Sequence, residues 1–301
     1  MSTITCRAVI LFFVLLAVLF RPDIAKVAAQ TNEDAELRIG AILPLSGAGA
    51  TFGQRVKRAM ELAHKDLAPE IRGKVRVIFE DDAWAAKGTV SAFQKLVNVD
   101  QAHAITVLGS GSGMAVAPLA EQKGIILMAI GASNINVVKG RKYCFLNWVT
   151  PEAEAEKLVQ EIARRKYQKL ALVGAEQEGM ISIYNAVLEE IKKAGMQDKI
   201  HLDERFMANE TDYRTFIVKA RSRMVDGAVL FLLPGSIASF AKQARQSGFG
   251  ADLIGIELFE DDNEVRAAEG ALNGQWYVTA ASAPAFEKRY FAEYQENSAF
   301  A

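Results

Sequence analysis

Of the residues whose type and spacing could do chemistry, the stretch Leu108-Gly-Ser-Gly-Ser-Gly-Met-Ala-Val-Ala-Pro118 has the clearest geometry. An apolar run at 104–108 precedes it, and a segment at 114–122 that reads as a helix follows it. A strand, a turn of small residues and a helix start form a cradle for a polar or anionic group, because the first N–H groups of a helix have no partner inside it. Three uses fit such a loop: holding phosphate, receiving a carboxylate, or simply turning the chain between a strand and a helix.

Enzyme chemistry finds little else to work with. The loop lacks the Gly-Lys-Ser/Thr end of a phosphate-transfer loop, and its glycines at 109, 111 and 113 do not follow G-x-G-x-x-G. No serine stands in the G-x-S-x-G context of a nucleophile elbow. His64, His103 and His201 each lack a second His, Cys or carboxylate at metal-ligand spacing. The acidic runs at 80–82 and 260–262 read as strand ends or helix starts. The expectation is therefore a binding protein, with no catalytic residue, metal or cofactor. A net charge of −1 also argues against nucleic acid as a partner.

Around the loop, the hydrophobic pattern alternates between strand and helix. Buried-strand candidates at 37–43, 75–80, 104–108 and 125–130 are separated by helical periodicity at 51–67, 85–99 and 114–122. The rhythm restarts after Trp148-Val-Thr-Pro151, where Thr150 suits a helix cap, Pro151 the first turn, and Glu152, Glu154 and Glu156 its positive end. Strands at 170–174, 200–207, 228–233 and 253–257 then alternate with helices at 181–194, 213–224 and 236–247. A run at 271–279 and a helix at 285–296 close the chain. This repeat predicts two tandem α/β units with mostly parallel sheets, whose ligand sites lie beyond the carboxyl ends of the strands.

The first residues read differently. Arg7, thirteen apolar residues at 8–20, Arg21 and the small-residue site Val27-Ala28-Ala29 have the layout of a secretory signal peptide over 1–29. The apolar run is shorter than the roughly 20 residues of a membrane span. Export to the periplasm is expected. Cys6 falls in the leader, which leaves Cys144 as a core thiol without a disulfide partner.

With these pieces in place the chain resembles the periplasmic substrate-binding proteins of branched-chain amino-acid (Leu/Ile/Val-type) ABC transporters. The resemblance rests on Ile39-Gly-Ala-Ile-Leu-Pro-Leu-Ser-Gly47, Phe52-Gly53, Glu80-Asp-Asp82, the 109–118 loop, Gly131-Ala-Ser133, Gln243-Ala-Arg245 with Gly248, and Gly255-Ile-Glu257, in order across residues 37–280. It implies a type I periplasmic-binding fold: two Rossmann-like lobes joined by a hinge, with the ligand trapped between them and delivered to the membrane subunits of an ABC importer. Lobe one is expected at 37–149 plus 276–301 and lobe two at 150–275. The last elements of the family are expected to be missing after Glu296-Asn-Ser-Ala-Phe-Ala301.

The resemblance also implies the site. Ser112 and Gly113 occupy the place that receives the ligand carboxylate, Gly131 and Ser133 the second contact loop, and Phe52 the pocket wall. Glu257 occupies the place that pairs with an α-ammonium. The chain departs from the family where Gly113 stands for a serine, where Ala175-Glu-Gln-Glu-Gly-Met180 replaces Asp-x-x-x-Tyr-Gly, and at Leu233-Pro-Gly-Ser236, where an aromatic is expected. The ligand implied is an amino acid or a related small amide or carboxylate, bound by a monomer. A ligand-sensing or scaffolding receptor of the same fold, acting on an envelope partner, is the alternative.

Overall fold

Two parallel sheets with the same strand order emerge from the alternation. The computed structural model describes residues 36–47, 49–296 and 298, so the expected signal peptide lies outside the described residues. The first sheet is built from β1 (Leu37–Leu43), β2 (Val75–Asp81), β3 (Ala104–Leu108), β4 (Ile126–Ile130) and β5 (Cys144–Asn147), ordered β2-β1-β3-β4-β5. The second contains β6 (Leu170–Glu176), β7 (Ile200–Met207), β8 (Gly227–Phe231), β9 (Asp252–Gly255) and β10 (Trp276–Tyr277), ordered β7-β6-β8-β9-β10. Every pairing is parallel. Each sheet reverses direction of growth between its first and third strands, which opens a crevice at the carboxyl ends there.

The helices of the first half are α1 (Ala50–Lys65), α2 (Pro69–Arg72), α3 (Ala86–Asn98) and α4 (Ser110–Lys123). Those that follow are α5 (Pro151–Arg165), α6 (Glu178–Lys193), α7 (Arg214–Ser222), α8 (Ser236–Gln246), α9 (Asp262–Ala267) and α10 (Pro284–Tyr294). Local chemistry explains α5 well. Thr150 Oγ1 accepts from Ala153 N at 3.3 Å, Pro151 sits in the first turn, and Arg164 and Arg165 occupy the last. Its buried face carries Ala155, Leu158, Val159 and Ile162 at helical spacing. All residues of β8, and β6 from Leu170 to Ala175, are buried, as strands covered by helices on both faces must be.

One apolar cluster fills the first half around Ile42, Phe93, Leu96 and Leu127. The other, around Leu172, Phe231 and Phe240, continues across the crevice to Leu43, Phe52, Val56 and Leu108. The two halves therefore pack on one another at the strand ends. Polar contacts tie them as well: Arg55 Nη2 reaches Asp262 at 2.6 Å, Asn263 Nδ2 donates to Thr51 Oγ1, and Asn134 Nδ2 donates to Glu178 Oε2 at 3.1 Å.

The end of the chain differs from the expected return to the first lobe at 276. Trp276 and Tyr277 pair with Ile254 and Gly255, and so stay with the second sheet. Burial explains this: the Trp276 indole N–H donates to Tyr167 Oη at 2.8 Å, and its ring stacks beside Tyr167 under the second sheet. The chain crosses back after them, and α10 lies on α1. Lys65 Nζ pairs with Glu293 at 2.7 Å, Arg58 with Glu296 at 2.5 Å, and Tyr294 Oη donates to Arg58 O at 3.0 Å.

Candidate functional site

The carboxyl ends of both sheets face one crevice, and a small cavity of about 50 Å³ remains inside it. From the first half it is bordered by Phe52 after β1, Trp84 after β2, Gly109 and Ser110 after β3, Gly131 and Ser133 after β4, and Trp148 after β5. The second half contributes Gln177, Gly179 and Met180 after β6, Leu233 after β8, and Glu257 and Leu258 after β9. A chamber of about 470 Å³ shares Leu108, Gly131, Trp148 and Glu257 with it and extends past Met60, Asn147 and Phe286. The smaller space holds only a few waters. Glu257 thus stands at the border of the two.

Backbone geometry sets the first wall. Ala83 and Trp84 have φ of +48° and +59°, the left-handed region that non-glycine residues seldom occupy. Asp81 Oδ1 accepts from Ala83 N, and Asp82 Oδ1 from Trp84 N, both at 2.9 Å, which holds this turn. The Trp84 ring then lies 5.9 Å from Phe52, centroid to centroid. Gly109, at φ +89°, lets the chain turn into α4 where a Cβ would come within 3.1 Å of the Trp84 indole nitrogen. No side chain caps α4, and Gly109 and Ser110 at its start border the cavity.

Four of the six expected site residues come together: Phe52, Gly131, Ser133 and Glu257 all border the small cavity. Ser112 and Gly113 do not. Ser112 is buried at 4 % exposure, donates to Asp82 Oδ2 at 2.7 Å and has Thr89 Oγ1 3.2 Å away. Gly113 packs inward, where a Cβ would come within 3.1 Å of Val137 and 3.2 Å of Ala129. The physical reason is that α4 already begins at Ser110, so the later residues of the loop have turned around the helix toward the core. Ser110 takes the cavity position instead, and its Oγ accepts from Ser133 N at 3.0 Å and Asn134 N at 3.2 Å.

Electrostatically the second wall is unusual. Glu257 is 8 % exposed, and Glu154 of α5, 7 % exposed, lies beside it. Glu257 Oε2 and Glu154 Oε1 are buried without a hydrogen-bond partner. Burial, with the neighbouring Glu257 carboxyl, pushes Glu154 up to about 10, and burial pushes Glu257 up as well. Among the described residues no Lys, Arg or His bonds to either carboxyl.

Sequence reasoning missed Trp84, Trp148, Ser110, Gln177 and Glu154. For Glu154 a signal existed: it stands four residues before Leu158 and eight before Ile162, on the apolar stripe of its helix. Gln177 caps α6, its Oε1 accepting from Gly179 N at 2.8 Å and Met180 N at 3.1 Å, and its position directly after a strand was the available hint. The acidic runs have structural duties. Asp82 binds Ser112 and Thr89, Asp261 caps α9 through Asn263 N at 2.8 Å, and Asp262 pairs with Arg55. Cys144 is a buried thiol, and burial pushes it up. A larger cavity of about 720 Å³, lined by Phe259, Tyr277 and Phe291 among others, contains none of the expected site residues.

With this geometry in view, known proteins can be compared. The Leu/Ile/Val-binding protein homolog 3 of Brucella melitensis is 26% identical over 234 residues, covering 74% of this chain and 61% of that relative. The chain therefore spans less than two thirds of that relative's length. A crystal structure of a leucine binding protein from Thermotoga maritima superposes with a TM-score of 0.78 at 20% identity, covering 88% of this chain and 78% of that one. A solute binding protein of an ABC transporter from Rhodopseudomonas palustris, in complex with 3,4-dihydroxybenzoic acid, reaches 0.74 at 21% identity, covering 88% and 76%. At these identities the two structures establish the fold, two parallel-sheet α/β lobes of the type I periplasmic-binding kind. Residues 36–301 match the family described as periplasmic binding protein, and the chain belongs to that family.

Proposed function

We propose that this protein captures a small ligand bearing an ammonium group, an amino acid or a close relative, between its two halves in the periplasm and hands it to an ABC importer. The observation that carries this reading is Glu257, a buried carboxylate with an unpartnered oxygen at the border of the cavity and no cation beside it. Burying an unpaired carboxylate is costly, and an ammonium group that arrives with the ligand removes the cost. The uncapped start of α4 at Gly109 and Ser110, with Ser133, supplies the opposite chemistry for a carboxylate. The ligand's two charges thus set its orientation. Phe52, Gly131, Ser133 and Glu257 keep the ligand-binding roles expected of them, and Ser110 takes the one given to Ser112. The two halves act as lobes that move apart to admit the ligand, with the contacts of Arg55 to Asp262 and Asn134 to Glu178 closing over it. The relative in Brucella melitensis, named for leucine, isoleucine and valine, supports an amino acid.

A second reading has one observation in its favour. Phe52, Trp84 and Trp148 make an aromatic wall, and the Rhodopseudomonas palustris structure holds a dihydroxybenzoic acid. A benzoate has no cation to offer Glu257, and this argues against it. A thermal-shift panel separates the two readings: L-leucine and L-isoleucine, their 2-hydroxy-acid analogues, and 3,4-dihydroxybenzoate. A ligand at 100 times its Kd stabilises by about 2.7 kcal/mol. Stabilisation by amino acids but not by the hydroxy acids is the expected result. Stabilisation by the benzoate alone overturns the proposal.

A further inference from the structure

We propose that Glu154 and Glu257 work as one acid–carboxylate pair holding one proton and one negative charge, in which neutral Glu154 donates to Glu257 and fixes it for a single ammonium. The inference rests on the reading of Glu257 as the ammonium site and adds to it a positioning residue, Glu154, that does not itself border the cavity.

Glu154 stands on the buried face of α5, between Pro151 and Leu158, where an apolar residue would complete the stripe. Glu257 opens the short 3-10 turn Glu257–Glu260 that follows β9. The two carboxyls lie side by side, each more than nine-tenths buried and each with an oxygen that meets no donor. Two adjacent buried carboxylates with no cation repel one another strongly. One proton between them removes the repulsion and supplies the missing donor. The site is then left with one negative charge, the right amount for one ammonium.

Position decides which residue keeps the proton. Glu257 borders both cavities, where ligand and water reach it, whereas Glu154 lies behind it and is raised strongly by burial and by Glu257. The other charged group that acts on Glu257 is Glu260, also an acid. Arg55, a buried cation, acts on Glu260 and not on Glu257 or Glu154, and its Nη2 pairs with Asp262 at 2.6 Å. Among the described residues, no Lys, Arg or His pairs with Glu154 or Glu257. Binding an ammonium at Glu257 leaves the proton where it is, on Glu154.

Infrared spectroscopy of the whole chain at pH 7 tests the shared proton without any ligand. The protonated-carboxyl band assigned by difference should vanish in Glu154→Gln and persist in Glu257→Gln. The reverse pattern, or no change in either variant, overturns the proposal. Should Glu154→Gln fail to fold, Glu257→Gln decides alone: burial, the larger cause, should still hold the proton on Glu154, and loss of the band there overturns the proposal. Titration with L-leucine and L-isoleucine tests the positioning role. Glu154→Gln, which keeps a donor, should weaken binding at least tenfold less than Glu154→Ala. Equal weakening by the two variants overturns that role. If the wild-type chain binds neither amino acid, the amino-acid reading fails, and the infrared band still decides whether the proton is shared.

Discussion

Asp82 in the first half and Glu257 in the second are both buried carboxyls that follow a strand at its carboxyl end, and they could hardly be treated more differently. Asp82, 2 % exposed, accepts from Ser112 Oγ at 2.7 Å, Thr89 Oγ1 at 2.9 Å and Trp84 N at 2.9 Å. Glu257 has an unpartnered oxygen and a second acid for a neighbour. A buried carboxylate that is fully hydrogen-bonded holds a structure together, here the turn that aims Trp84. A buried carboxylate left short of donors costs stability, and that cost makes sense when something else is to fill the gap. The contrast turns a list of acidic residues into one anchor and one proposed ligand contact.

The strongest way to break the comparison is to remove the anchor. Asp82→Ala leaves Ser112, Thr89 and the Trp84 N–H short of an acceptor in a dry environment and should cost about 3–4 kcal/mol of stability. Urea denaturation reads it, and a loss below about 1 kcal/mol would show that the network is ornamental.

The next effect belongs to the other carboxyl pair and has a definite sign. The folded protein keeps the Glu154 proton up to about 10, whereas the unfolded chain loses it near 4.5. The stability contributed by this group is complete below 4.5 and is lost as pH rises from there toward 10. Between pH 5 and 7 the wild-type chain should therefore lose about 2–3 kcal/mol relative to Glu154→Gln, which has nothing to ionise. Melting curves of both proteins at the two pH values check this, and parallel shifts would sink it.

Binding comes third. Glu257→Ala should weaken an amino-acid ligand by roughly 30-fold or more, about 2 kcal/mol, with much less effect on a ligand lacking the ammonium. Unlike Asp82→Ala it should not lower stability. Calorimetric titration of L-leucine measures the first part, and unchanged affinity would end the amino-acid reading.

The smallest prediction separates two serines. Ser112→Ala removes one donor from Asp82 and should cost about 1 kcal/mol of stability, while Ser110→Ala should act on ligand affinity through the cavity loop. If Ser112→Ala lowers affinity more than Ser110→Ala does, the placement of the two side chains is reversed.

Much of the fold was legible in the sequence because it follows from periodicity. β1 and β3 fall where their apolar runs predict, and α5 begins at its Thr150–Pro151 signal. Trp276 and Tyr277 were harder, since a two-residue strand has no periodicity, and only pairing with β9 shows which sheet it joins. The lining of the candidate cavity was legible in part. Glu257 stands out as a carboxylate ending an apolar strand, and Gly131 and Ser133 fall on a loop at a strand end. The Ser112 assignment failed by two residues, because the helix starts at Ser110 and two residues are about 200° of helical turn.

The sequence by itself determined that this chain would alternate strands and helices in two units, carry its loops of interest at the strand ends, and place an acid, Glu257, directly after the apolar run of β9. Those properties live in local spacing, which a chain carries wherever it folds. Only the tertiary structure decided that Ser110 rather than Ser112 meets the cavity and that Trp84 and Trp148 join Phe52 in its wall. Only it could bring Glu154, 103 positions away in the chain, beside Glu257. Proximity of that kind depends on how α5 packs beneath the end of the second sheet. A carboxyl's neighbours, not its own residue type, then set whether it is an anchor, a ligand or the keeper of a proton.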